Sequence, residues 1–324
     1  MDARLKNVLI WLGVVLVLFA LAMFILAPLG NLFSVHVGQG ALNLDFSVEQ
    51  STLLKRFIFV IVGLLIAFVI YFATRENPAW EVGTRQVVWM SIGAALYAVF
   101  SWVFNASVFF VPSVSQVALR PAIVIPMFFG YAFGPVVGFF TGAVGNMFGD
   151  ALTGFGLSPQ WSIGNGLIGL ISGSWMLFSD RKKSLNTVLW VGVALAVLAG
   201  LLYFLNPTLK NLTYYNPEND TFAETQITLL AGASILIGLI LILVVRFAFG
   251  KNENIAAAVT WGMLGNLIGL LFASLADISI NGFTPVVAIV GEFLPSAGPN
   301  LIFAAILVPL LVAAYVAVQR QSGR

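Results

Sequence analysis

Apolar residues in this chain fall into long uninterrupted runs separated by short polar stretches. The first run covers residues 8–27, close to the roughly 20 residues that cross a hydrocarbon core. Arg4 and Lys6 precede it. It is longer than the apolar part of a cleaved signal and no A-x-A site follows, so a retained helix is expected. Further runs cover 57–73, 86–104, 119–133, 135–152, 161–178, 186–205, 226–248, 255–275 and 286–316, the last interrupted by Pro295 and Pro299. None shows the alternation of a barrel strand. The pattern therefore predicts an all-α class, a polytopic membrane helical bundle of about ten transmembrane helices.

The polar stretches set the organisation. Residues 28–56 read as an external loop, in which Leu42, Leu44, Phe46 and Val48 alternate as in a hairpin and His36 is a solvated histidine. The linker from Thr74 to Arg85, with Arg75, Glu76, Pro78 and Glu81, is the sharpest internal boundary. Residues 105–118 are broken by Pro112 and too short to span, so they are expected to fold over the external face. The loop 206–225, with Glu218, Asp220 and Glu224, is expected in solvent.

Gly134-Pro135 splits one apolar stretch into two short spans. Basic residues support that split. With two spans, Arg4, Lys6, Arg75, Arg85, Arg181, Lys182, Lys183, Arg246, Lys251, Arg320 and Arg324 share one side, and only Lys55, Arg56, Arg120 and Lys210 lie on the other. The first set is then cytoplasmic, with both termini.

Composition agrees with a bilayer as solvent. The chain is 60% hydrophobic and 9% charged, with mean hydropathy +1.00, against about 25% charged residues in soluble domains. A net charge of +2 with no basic run beyond Arg181-Lys182-Lys183 excludes nucleic acid as a partner. Cysteine is absent and His36 is the only histidine. Disulfides, iron–sulfur clusters, thiolate metal sites and cysteine nucleophiles are excluded, and no cofactor or metal is expected. The chain has no G-x-x-x-x-G-K-[ST] loop to bind ATP. Gly149-Asp150 follows Met147 and lacks the pattern of an intramembrane aspartyl protease, so no enzyme is expected.

Candidate chemistry comes from polar groups within or at the ends of spans, where they are costly and tend to be functional. Arg120, Asp150, Asp277 and Glu292 are ionisable and fall toward the external side; Asn105, Asn146, Asn165, Asn281 and Asn300 lie in the same half or face the bundle interior. Trp102 and Trp161 could wall a pocket there. Singly, each would serve as well as a helix cap or in the headgroup zone. Their convergence on one face points to a small polar or aromatic ligand. Glycines at 130, 134, 138 and 142 form a ladder suited to close helix packing, and Ala94 and Ala98 form a second small pair. The segment WSIGNGLIGL from Trp161 is echoed by WGMLGNLIGL from Trp261, as in transporters built from repeats.

The stretches FFGYAFGPVVGFFTGAVGNMFGD, WSIGNGLIGLISG and GEFLPSAGPNLIFAAILVPLL resemble the substrate-binding S components of energy-coupling factor (ECF) transporters, closest to uncharacterised vitamin-transporter-like members. The resemblance implies a six-helix core at 86–104, 119–133, 135–152, 161–178, 255–275 and 286–316. The chain would then divide into an N-terminal helix pair with its loop (1–85), a first core part (86–179), an inserted helix pair (180–254) and the final core helices (255–324), with 186–205 as an alternative fifth core helix. It also implies capture of a vitamin-like small molecule from outside, near the external ends of core helices four to six and under a lid at 105–118; Asn105, Asn165, Asp277 and Glu292 are expected to touch it. Implied partners are the lipid bilayer, a membrane coupling subunit docking on Ala94 and Ala98, and two ATPase subunits. A self-sufficient secondary transporter and a non-transporting scaffold or sensor remain alternatives at this stage.

Overall fold

The computed structural model describes residues 3–37, 40–106, 110–111, 117–154, 156–206, 210–216, 221–226 and 229–322. These form ten α-helices: α1 (Ala3–Ala20), α2 (Leu53–Ala73), α3 (Thr84–Ala106), α4 (Val124–Phe133), α5 (Pro135–Thr153), α6 (Pro159–Gly173), α7 (Arg181–Leu205), α8 (Leu229–Ala248), α9 (Glu253–Ile280) and α10 (Leu294–Gln321). Seven helical segments among the described residues are long and apolar enough to cross a membrane, and α4 is a shorter apolar helix. The bundle expected from the apolar runs is what forms.

Three two-stranded hairpins decorate the helices. β1 (Asn31–Val37) pairs with β2 (Gly40–Asp45), β3 (Phe110–Val111) with β4 (Val117–Ala118), and β5 (Lys210–Asn216) with β6 (Thr221–Gln226), all antiparallel. The expected lid at 105–118 lies partly outside the described residues, which omit 107–109 and 112–116. The described residues place another segment across the turn from α5 to α6. Ser47 O accepts a 2.6 Å hydrogen bond from Leu157 N, and Phe46 meets Phe148 edge-on at 5.9 Å.

Helix α6 is the post around which the others stand. Every residue of it but Trp161 is buried, and α2, α4, α5 and α9 all pack on it. Backbones approach to a distance that only glycine allows. A Cβ added to Gly142 would stand 2.5 Å from the carbonyl carbon of Asn165 and 2.8 Å from Gly166 N; one on Gly138 would stand 2.6 Å from Gly130 Cα. On the α9 side, a Cβ on Gly164 would reach within 2.6 Å of Gly269 O, and one on Gly265 within 2.6 Å of Ile168 O. The two echoing segments therefore pack on each other. Gly134 does a different job: its φ of 104° turns α4 back into α5, which makes two helices of the stretch.

The small pair on α3 faces inward. Ala94 is 8% and Ala98 6% exposed. Gly145 of α5 approaches the Ala94 carbonyl, and Gly149 lies against Ala98 and Ser101. The docking role expected for Ala94 and Ala98 finds no free surface here, because α5 occupies it. The spacing of small residues shows that a close neighbour exists but not whether it belongs to the same chain.

Gly142→Ala is expected to lower stability by about 1–3 kcal/mol, the usual cost of overpacking. Gly13 on α1 has nothing within 4 Å of an added Cβ. Gly13→Ala is therefore expected to be neutral or slightly stabilising. Thermal unfolding of the two variants in one detergent measures the contrast.

Candidate functional site

Polar side chains gather at one end of the bundle, around the first turns of α6, in two linked groups. The first joins α3, α5, α6 and the approach to α4. Arg120 Nη1 donates to Asn146 Oδ1 at 2.9 Å, and Arg120 Nη2 forms an ion pair with Asp150 Oδ1 at 3.1 Å. Asn146 Nδ2 donates to Asp150 Oδ2 at 2.8 Å and to Ser162 Oγ at 3.1 Å. Asn165 Nδ2 donates to Asn146 Oδ1 at 3.1 Å, and Tyr97 Oη donates to Asn165 Oδ1 at 3.1 Å. Tyr97, Asn146, Asp150, Ser162 and Asn165 are buried. Arg120 keeps 21% of its side chain exposed.

The second group joins α2, α6 and α9. Asp277 accepts from Gln160 Nε2 at 2.9 Å on one carboxylate oxygen and from Trp161 Nε1 at 2.8 Å on the other. Gln160 Oε1 in turn accepts from Arg56 Nη1 at 3.1 Å. Arg56 also donates to Thr52 Oγ1 at 2.9 Å and lies 3.9 Å from Glu49. Glu292, fully buried in the π-helical turn Val287–Phe293, stands beside Asp277. The residues Gln160 to Asn165 form the seam, since the Trp161 carbonyl also accepts from Asn165 Nδ2 at 2.9 Å.

This arrangement follows from the cost of charge away from water. A buried ion needs a partner and further hydrogen bonds to be tolerated. Arg120 answers Asp150, and Arg56 answers Asp277 through Gln160. The amides fit because each carries donor and acceptor and can relay between charged groups.

Of the residues expected to bind a ligand, Arg120, Asn146, Asp150 and Asn165 meet in the first group, and Trp161, Asp277 and Glu292 in the second. Asn300 lies apart: with Asn266 it makes a buried pair, Asn300 Nδ2 donating to Asn266 Oδ1 at 3.1 Å. It sits eight residues beyond Glu292, which is about 12 Å further along a helix. Asn281 is exposed and caps α9, its N–H donating to Asp277 O at 2.9 Å. Trp102 is half-buried near the end of α3, and Asn105 occupies its last turn. Tyr97, Ser162, Gln160 and Arg56 were not among the expected residues. A signal for Arg56 existed, because it is one of the few basic residues on the side opposite the basic majority.

Fold and site together define a polytopic helical membrane protein with an internal polar site, rich in ionisable groups, at one end. The chain belongs to the family of ECF-type riboflavin transporter S components, which it matches over residues 81–248. The UPF0397 protein of Vibrio atlanticus is 28% identical over 175 residues, covering 52% of this chain and 93% of that protein. Its counterpart in Aliivibrio salmonicida is 27% identical over 165 residues (49% and 87%), and that of Photobacterium profundum 29% over 165 residues (49% and 87%). No solved structure matches. The matched region runs from the approach to α3 to the end of α8, so Arg56, Asp277 and Glu292 lie outside it.

Removing one member of the Arg120–Asp150 pair leaves a buried charge unanswered. Arg120→Ala and Asp150→Ala are each expected to cost about 3–5 kcal/mol, and the double variant clearly less than their sum. A thermal-unfolding double-mutant cycle checks this; additive losses would show that the pair is not coupled.

Proposed function

We propose that the chain is the substrate-capture subunit of an ECF-type importer in the plasma membrane, taking a vitamin or related micronutrient from the external side with both termini cytoplasmic. The observation that carries this is the buried network around the start of α6, in a chain of the S-component family. Many of its donors and acceptors bond one another. A polar ligand would enter by exchanging its own groups for some of these bonds, with Arg120 and Trp161 at the margin. Asn165, Asp277 and Glu292 are proposed to contact it, with Asn105 at the α3 end. Import would require a membrane coupling subunit and two ATPases, since this chain has no phosphate-binding loop of the G-x-x-x-x-G-K-[ST] type.

The proposed six-helix core is α3–α6 with α9 and α10. Packing supports it: α9 lies against α6 through Gly164, Gly265 and Gly269, and α10 also contacts α4. Helices α7 and α8 pack chiefly on α9 and α10. The ends of this pair come together, because Tyr131 bonds Asn254 through its hydroxyl (2.9 Å) and Trp175 through its carbonyl (2.9 Å).

The first test is native mass spectrometry of protein purified gently from its own cells, followed by titration with riboflavin and a vitamin panel. A stoichiometric vitamin-like mass is expected. A bare protein that binds nothing in the panel would overturn the reading. Asp277→Asn should weaken binding about tenfold or more, the worth of a charge-assisted hydrogen bond.

Excision of residues 182–252 with a short linker should leave ligand affinity largely intact. Truncation after residue 250 should abolish it. The reverse result would move the core to α3–α8.

A further inference from the structure

The network around the start of α6 is closed in this structure. Asn146, Asp150, Ser162 and Asn165 are each at most 5% exposed, so a ligand reaches them only if a covering element moves. Along the sides, the covers are helices in backbone contact through Gly138, Gly142, Gly164, Gly265 and Gly269. Parting those would open the bundle itself. At the turn from α5 to α6 the cover is of another kind. Residues 43–49, which lead from β2 toward α2, lie across residues 154–157. That turn stands between Asp150 and Gln160 along the chain, so it joins the two polar groups.

The turn is shaped to receive this segment. Gly154 and Gly156 have φ of 72° and 71°, a conformation that glycine adopts most readily. Both also face the segment: a Cβ on Gly154 would stand 3.2 Å from Asn43 Cβ, and one on Gly156 2.7 Å from Ser47 O. The hold on the segment is short. Leu157 N–H donates to Ser47 O, Phe46 and Val48 are buried, and Phe46 meets Phe148 edge-on. Beyond them, Glu49, Gln50 and Ser51 are exposed. Glu49 lies 3.9 Å from Arg56, whose guanidinium reaches Gln160. Segments held by few buried contacts are the ones that open locally while the core stays folded.

We propose that residues 43–49 are a strap over the polar site, closed in this structure, whose lifting from the α5–α6 turn admits the ligand. The strap comes from the N-terminal part of the chain, outside the region shared with the relatives. The proposal takes its ligand from the capture reading above, but the motion itself is measurable without one.

The chain has no cysteine, so introduced thiols are unambiguous. The first arm uses the full-length protein in nanodiscs and no ligand. Leu157→Cys places one thiol beneath the strap, and its reaction with a water-soluble maleimide is timed. Adding Phe46→Ala, which removes the aromatic anchor, is expected to speed labelling about tenfold or more. Thermal unfolding confirms that both variants fold. The second arm joins Asn43→Cys to Gly154→Cys, where the Cβ separation is close to the roughly 3.5–4.5 Å that a disulfide spans. Comparing one variant in two redox states cancels the strain of a side chain at position 154. Association and dissociation of riboflavin, or of the panel vitamin that the parent protein binds, are expected to slow about tenfold or more on oxidation and to recover on reduction. Labelling unchanged by Phe46→Ala, or equal ligand exchange in the oxidised and reduced forms, overturns the proposal. Faster labelling in a protein that binds no vitamin in either form would uphold the opening of the strap and count against the capture reading.

Discussion

Close approach of backbones around α6 is the constraint on which the rest of the structure depends. Between helices in lipid the hydrophobic effect contributes little, so contact distance and hydrogen bonding decide association. Glycines supply the distance: 138 and 142 on the α5 side, 164, 265 and 269 on the α9 side, each where a Cβ would meet backbone. With neighbours on all sides, the first turns of α6 can carry Gln160, Ser162 and Asn165 without exposing them to lipid. Removing the glycines would separate the helices and leave those groups unsatisfied. Packing and site are in this sense one feature.

The polar network extends the same logic to charge. Arg120 and Asp150 come from opposite ends of the α4–α5 hairpin, which Gly134 creates. If the stretch were a single helix, the two would lie far apart along its axis, each needing another partner. The turn at Gly134 therefore sets the topology and brings Arg120 to Asp150. Asp277 depends in turn on Gln160 and Trp161, which donate to one of its oxygens each.

Much of the fold was legible in the sequence because a bilayer leaves few choices: an apolar run of sufficient length becomes a helix, and a Gly-Pro break in the right place becomes a turn. Four of the charged groups were legible for a related reason, since Arg120, Asp150, Asp277 and Glu292 are conspicuous in apolar surroundings, whereas Arg56 was not singled out. Uncharged partners were less so. Tyr97 and Gln160 carry no charge to single them out, and only the geometry shows what each bonds. Ala94 and Ala98 illustrate the limit from the other side. Their spacing announces a close contact, but whether α5 or another protein makes it depends on three-dimensional order. Asn281 and Asn300 were grouped with the site by residue type, and they part from it because one ends a helix in solvent and the other pairs with Asn266 deeper in the bundle.

The N-terminal helix pair shows how far the site reaches beyond the family region. Residues 81–248 carry the family match, yet α2 precedes them and is built into the centre. Gly63 lies against Ile163 of α6 and Phe272 of α9. Lys55 Nζ donates to Ser279 O at 2.9 Å, and Arg56 is 8% exposed with Gln160 as its partner. A guanidinium is expensive to bury and is kept only where its surroundings need it. Here the need is the carboxylate of Asp277, which Gln160 connects to Arg56 by one side chain. Without α2, Asp277 would lose its nearest countercharge and α6 would gain a lipid-facing side at Ile163. The helix pair is thus part of the fold's electrostatic balance, and the polar site of this chain is assembled from helices both within and outside the region it shares with its relatives.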